Sequence, residues 1–195
     1  MAVETQQAER RERRRAVVRD EVVDTAWRLA TVGGIAAVTL KNVADEMGIK
    51  APSLYEYVPN LHGLFDLMFR SGWQALQREV EALTDQGAGP HDWFARLLAF
   101  CVEEPARFEL MLQRPVPGFT PSVESMAVSQ ATYDLMVAAL GRFGITRQSD
   151  VDLADSLLLG LAGNQIANDP GGTRFQALGN EAVDLLLRTA TRKAR

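Results

Sequence analysis

One cysteine, Cys101, stands in a chain of 195 residues. No intramolecular disulfide can form and no cysteine-cluster metal site can be built, a usage that suits a reducing cytoplasm. Histidine is nearly as scarce. His62 and His91, the two in the chain, are far apart, each at the start of an expected helix, and neither has metal-ligand spacing. No metal and no other cofactor is expected. A glycine-rich phosphate loop and a nucleophile elbow are both missing. Glu103 and Glu104 are adjacent, point to different helix faces and read as solvated charges, so no catalytic residue stands out and no enzyme is expected. No apolar run approaches the ~20 residues of a membrane span, and no signal-peptide core is present. A soluble, cytoplasmic protein without a membrane partner is the expectation. An overall basic excess is lacking too: the net charge of −4 argues against a chain that coats nucleic acid along its whole surface, but it permits a local basic site.

What is present is organised around Thr39 to Leu64, TLKNVADEMGIKAPSLYEYVPNLHGL. Leu40, Val43, Ala44 and Met47 fall at i, i+3, i+4 and i+7 and share one apolar helix face, and Thr39 ahead of them can accept a hydrogen bond from the first turn. Gly48 stands where a left-handed residue would close this helix, and Ile49 follows as the apolar residue that packs back on it. Pro52 is tolerated in the first turn of the next helix, which Leu54 and Val58 anchor from beneath. That is a helix-turn-helix pattern. Lys50, Ala51, Ser53, Tyr55, Glu56 and Tyr57 are left facing outward, and two tyrosines with a serine and a proline are an odd surface for a solvated helix. A DNA groove would use them. Their hydroxyls can bond phosphates or base edges, and Ala51, Pro52 and Tyr55 can pack on thymine methyls. The plainer alternative makes Tyr55 and Tyr57 core aromatics of a small helical domain.

The string AWRLATVGG, then VTLKNVADEMGIKAPSLYEYV, then PNLHGLFDLM opening a long fourth helix resembles TetR-family transcriptional regulators, specifically over about the first third of the chain. The resemblance implies base contacts from Ala51, Pro52, Ser53 and Tyr55, and phosphate contacts from Thr39 and Tyr57. Where that family usually places a phosphate-gripping lysine this chain has Leu61, and Lys50 replaces a cap serine; His62 or Lys50 would take over the missing anchor. The segment RFELMLQRPVPGF further resembles a subgroup named for a Trp-His-Gly signature. Here the corresponding stretch reads LLLGLAG, with Leu157 and Leu159 in place of Trp and His and only Gly160 kept, which implies a different, less polar ligand.

Arg10 to Arg15 is a dense basic run directly before the helix-turn-helix, read as a flexible arm over residues 1–16 in which Arg13, Arg14 and their neighbours reach DNA phosphates, the plainer alternative being a solvated helical extension. The spacing predicts a first helix from Val17 to Gly33–Gly34, closing a DNA-binding domain over 17–62. A larger helical domain over 63–195 would bind ligand and pair with a second copy, giving an all-α chain of about nine helices. The fourth helix runs from about Leu61 to Leu83 and joins the two. Beyond the DQGAGP break come helices at 92–104, from Pro105, at 121–143, 150–168 and 175–192, with RPVPGFTPS forming a loop over the body.

Trp73, Trp93, Phe100, Cys101, Phe108, Met111, Met126 and Tyr133 are candidates to line a mostly apolar pocket for an unidentified small-molecule effector, with Asn164 and Asn168 as polar orienters. Leu157, Leu161, Leu178, Val183 and Leu186 on the last two helices are candidates for a homodimer interface of four-helix-bundle type. The expected function is a sequence-specific regulator, a repressor by default, that binds double-stranded operator DNA and is released by a hydrophobic ligand. The alternative is a helical ligand-binding or partner-docking module whose DNA affinity is degenerate.

Overall fold

Ala, Glu, Gln and Arg, all good helix formers, fill the chain up to Arg15 with no glycine or proline between them. Nothing therefore delays the first helix to Val17. In the computed structural model, which describes residues 2–192, α1 spans Ala2–Gly33. The stretch expected as a flexible arm is, where described, the outer half of this helix. Arg10, Arg13 and Arg14 fall at i, i+3 and i+4 and share one face of it.

After Gly34 and a single 3-10 turn, Ile35–Ala37, α2 covers Leu40–Glu46 and α3 covers Ala51–Leu54. The second helix of the pair is thus one turn long. Tyr57 N and Val58 N both bond to Leu54 O, at 2.8 and 2.9 Å, and the chain then leaves the helix because Pro59 disfavours helical backbone at Val58. Asn60 restarts it, its side-chain oxygen accepting from Gly63 N at 2.8 Å, and α4 runs Leu61–Asp85. Gly63 is required there: a β-carbon would meet Pro59 Cδ at 2.8 Å.

The remaining helices are α5 (Pro90–Glu103), α6 (Pro105–Phe108) continued by a π-helical turn (Glu109–Gln113), α7 (Val123–Arg142), α8 (Gln148–Asn168) and, after a 3-10 turn at Gln176–Leu178, α9 (Gly179–Arg192). The architecture is all-α, as the periodicities required, and no strand occurs among the described residues.

Two apolar cores result, and α4 serves both. Its Leu64, Phe65 and Met68 pack with Val22, Val43, Leu54 and Val58 of the N-terminal unit. One residue further on, Phe69, Trp73, Leu76 and Val80 enter the core of the body with Leu97, Leu98 and Leu158. A second joint lies at α6, where Ala106 and the following Leu110 dock on the N-terminal core. Arg107 is held between the faces of Trp27 on α1 and Phe100 on α5, 5.6 and 5.3 Å from their ring centres, and pairs with Glu104 at 2.8 Å. Together with Val116 and Phe119 of the loop after the π-turn, which also pack on the N-terminal core, α4 and this stack join the body to the N-terminal unit.

Candidate nucleic-acid interface and internal cavity

The turn between α2 and α3 is a Schellman motif built by the residues that foretold it. Gly48 has φ 66°, Gly48 N bonds to Asp45 O at 3.1 Å, and Ile49 N reaches back to Ala44 O at 3.0 Å. At the other end of α2, Thr39 Oγ1 accepts from Asn42 N at 3.0 Å. This bond uses the hydroxyl as an acceptor and leaves its O–H free to donate outward.

The turn fixes which side of α3 meets solvent. Leu54 and Val58 are fully buried beneath it, whereas Lys50, Pro52, Ser53 and Tyr55 are exposed and Ala51 is half-buried. Tyr55 is 58 % exposed, so it is no core aromatic. Tyr57 turns the other way and is half-buried. It forms one wall of a surface groove whose other walls are Arg10, Arg13, Arg14, Arg15, Val17 and Val18 of α1. Arg15 closes that junction by donating from Nη2 to Glu56 O at 2.8 Å. The basic run and the outward face of α3, read separately in the sequence, are therefore neighbours, and the groove gathers four guanidinium groups beside a tyrosine.

His62 is placed differently from the role suggested for it. Its ring is exposed, but one side packs edge-on against Phe119 at 6.1 Å, and so it faces the body's loop and is not among the residues lining the groove. Leu61 is half-buried and packs on the N-terminal core, offering no cation.

Among the pocket candidates, Trp73, Met111 and Met126 come together at a cavity of about 380 Å³ between α4, the π-turn and α7, with Phe69, Leu110, Arg114, Phe119, Thr120, Pro121 and Ser129 completing it. The proline-rich loop supplies one side. Its residue types place that loop over the body but do not reveal that the exposed Arg114 and the half-buried Phe119 line a space; no periodicity exists in a loop to report it. Trp93 and Tyr133 lie elsewhere, in a crevice of about 20 Å³ with Asp155. Phe100, Cys101 and Phe108 are packed in the core of the body. Burial, with Asp155 nearby, pushes the Cys101 thiol up to about 12, so it stays protonated and chemically quiet.

The polar orienters are corrected by the structure. Asn164 and Asn168 are exposed and bond along their own helix, Asn164 Nδ2 to Gly160 O at 2.8 Å and Asn168 Nδ2 to Asn164 Oδ1 at 3.0 Å. The buried amide is the one between them. Gln165 is fully buried, donates to Asp169 O, and accepts from Phe175 N at 2.8 Å and Gln176 N at 3.2 Å. It clasps the connection between α8 and α9 and reaches no cavity.

The candidate pairing surface divides in the same manner. Val183 and Leu186 are each 3 % exposed and belong to this protomer's own core, because the strongly amphipathic α9 turns them against α5 and α8. Leu178 is exposed, and Leu157 and Leu161 are half-buried. The exposed apolar residue of α9 is Leu185. On α8, a β-carbon added at Gly160 or Gly163 would meet nothing within 4 Å, so these glycines leave open ground between the leucines.

Among the described residues no helix is long and apolar enough to cross a membrane. The fold and the exposed face on α3 define a helix-turn-helix protein carrying a larger helical body. Residues 22–68, the N-terminal unit, match the family described as bacterial regulatory proteins, tetR family. The chain is 36 % identical over 106 residues to the HTH-type transcriptional repressor DrrR1 of Streptomyces coeruleorubidus, a match covering 51 % of this chain and 37 % of that repressor. The chain thus spans well under half the length of that relative. Among solved structures it resembles SCO4313, provisionally described as a regulatory protein (23 % identity, 91 % of this chain and 98 % of that one, TM-score 0.74). It also resembles PfmR, a TetR-family transcriptional regulator of Thermus thermophilus (21 %, 86 % and 97 %, 0.60). FadR of Bacillus subtilis, a transcriptional regulator solved in complex with stearoyl-CoA, is similar in fold as well (12 %, 85 % and 96 %, 0.62).

Proposed function

We propose that this chain is a cytoplasmic transcriptional repressor that binds operator DNA as a homodimer and leaves it when a small, mostly hydrophobic molecule enters the body. The observation that carries the reading is the exposed Pro52, Ser53 and Tyr55 face of α3 flanked by the arginine groove of α1. Base edges would be read by the first, and phosphates held by the second together with Tyr57 and Thr39. A catalytic role is not part of the reading. That DrrR1 is a repressor and that FadR was solved with stearoyl-CoA are facts about those proteins; they favour the same division of labour here.

The release step rests on Phe119. This side chain lines the 380 Å³ cavity and also packs against Phe65 at 6.0 Å and His62 at 6.1 Å, on the first two turns of α4. A ligand that displaces Phe119 moves the root of α4, on which the reading unit stands. In a dimer that shift changes the separation of two reading heads that must meet half-sites about one DNA turn, ~34 Å, apart.

Leu61, half-buried where a cation would grip phosphate, favours a second reading in which the body docks a ligand or partner and the DNA affinity is lost. Fluorescence anisotropy against the DNA flanking its own gene and against a scrambled duplex, at several salt concentrations, separates the two. A regulator binds its own sequence preferentially and weakens steeply with salt. Weak binding that treats both duplexes alike selects the docking module.

A further inference from the structure

The walls of the 380 Å³ cavity are mostly apolar, contributed by Phe69, Trp73, Met111, Phe119 and Met126, with Arg114 as the charged side chain among its lining residues. Trp73 is 9 % exposed, and its indole Nε1 is buried with no hydrogen-bond partner. Arg114 forms no hydrogen bond or ion pair with another described residue. It is also the one described residue other than glycine with a positive φ, 51°, a conformation that costs an L-residue energy and is held by its surroundings. The π-turn ends there, and Arg114, itself exposed, lines the open side of the cavity. No acidic side chain lines the space. A cation would meet the like charge of Arg114 with no carboxylate to offset it, and an uncharged hydrocarbon would leave the guanidinium unused.

We propose that the cavity takes an apolar anion, its hydrocarbon body lying against Trp73, Met111 and Phe119 and its acidic group held by Arg114 at the mouth. The inference rests on the ligand-binding part of the reading above and names the ligand's class. Arg114 acts as the selecting residue: a guanidinium binds a carboxylate or a phosphate ester through two parallel hydrogen bonds, which an ammonium or a hydroxyl cannot accept in that way. The volume lies at the small end of the range for organic ligands, about 300–1,000 Å³, so one medium-length chain fills it.

Isothermal titration calorimetry of the full chain with decanoate, decan-1-ol and decyltrimethylammonium, three probes of one chain length and different charge, tests the assignment at neutral pH without DNA. Decanoate is expected to bind about tenfold or more tighter than the other two. In Arg114→Gln the three affinities should converge to within about threefold, and Arg114→Lys should restore part of the preference. Trp73→Phe should weaken decanoate several-fold and leave the order unchanged. If decan-1-ol binds the unaltered protein as tightly as decanoate, the anion assignment is wrong while an apolar pocket survives; that comparison needs no variant. Decanoate preference that persists in a folded Arg114→Gln protein also overturns it. Failure of all three probes to bind overturns the pocket itself along with its class.

Discussion

Tyr55 and Tyr57 are two residues apart and are asked to do different things, because the single turn of α3 ends between them. Tyr55, 58 % exposed, projects from the face proposed to meet base edges, and Tyr57 stands in the arginine groove. Tyr55→Ala is expected to cost about 1–3 kcal/mol on the operator and much less on a scrambled duplex, so that sequence preference falls. Tyr57→Phe removes one hydroxyl from a phosphate and should weaken both duplexes equally, by about 1 kcal/mol. Equal losses for Tyr55→Ala in paired anisotropy titrations would show that its side chain holds backbone rather than bases. A different residue makes a prediction about stability. Asp155 is raised above the ordinary carboxylate range, first by burial and then by the negative charge of Asp152. A carboxyl whose folded value is raised binds its proton more readily in the folded chain, so folding loses stability as pH rises through the unfolded value near 3.9 and the penalty persists at neutral pH. Asp155→Asn should therefore melt about 1–2 °C higher than the unaltered protein at pH 7, with the gap closing below pH ~4. A variant that melts lower at pH 7 would mean that the carboxylate is stabilising where it stands.

The helices themselves were legible because each carries a period and a punctuation mark. The α2–α3 turn is the clearest case: Thr39, Gly48, Ile49 and Pro52 each take the position that their backbone chemistry demands. Three things were not legible, for distinct physical reasons. The early start of α1 was hidden by its composition, since polar helix formers show no apolar face to betray a helix. The inward turn of Val183 and Leu186 was hidden because a repeating apolar stripe says that a face is covered but not whether this chain or another covers it. The cavity's loop side was hidden because Arg114 to Ser122 has no period at all. What holds that loop is a contact between elements 56 residues apart. Asp66 on α4 accepts from Ser122 N at 2.7 Å and from Ser122 Oγ at 2.9 Å, and Arg70 Nε donates to Ser125 Oγ at 3.1 Å, so the first turn of α7 is pinned to α4 just beyond Phe119. Asp66→Ala strips both acceptors from a partly buried cap and should cost about 1–3 kcal/mol in urea unfolding. It should also loosen the loop enough to weaken ligand binding. Asp66→Asn keeps one acceptor and should lose less; identical midpoints for Asp66→Ala and the unaltered chain would show that the pin adds nothing to stability.

At the scale of the molecule, the proposed release mechanism makes the pairing of chains the step that turns ligand binding into release. We propose a pairing face from Leu157, Gly160, Leu161 and Gly163 of α8 with the exposed Leu185 of α9; β-carbons added at its two glycines would meet nothing within 4 Å. Glycine inside a helix costs about 0.5–1 kcal/mol against alanine, so Gly160 and Gly163 in adjoining turns of α8 weaken that helix without serving any contact within the protomer. Close approach by a second helix gives them a use, because backbones meet more nearly across glycine than across any side chain. The substitution that tests this must not disturb the protomer, and Gly160→Arg qualifies: its β-carbon enters open space and its helix propensity improves. The unaltered protein is expected to elute, with light scattering, at twice the 21.5 kDa of one chain, and Gly160→Arg at a single chain's mass with an unchanged melting profile at high dilution. Operator affinity should fall about 100-fold or more in the variant, since the second reading head is no longer tethered to the first. Decanoate affinity should stay the same, because the cavity lies between α4 and α7 of one protomer and touches neither α8 nor α9. A single-chain mass for the unaltered protein at micromolar concentration would remove pairing from the mechanism. A variant that stays paired would place the interface on some other face.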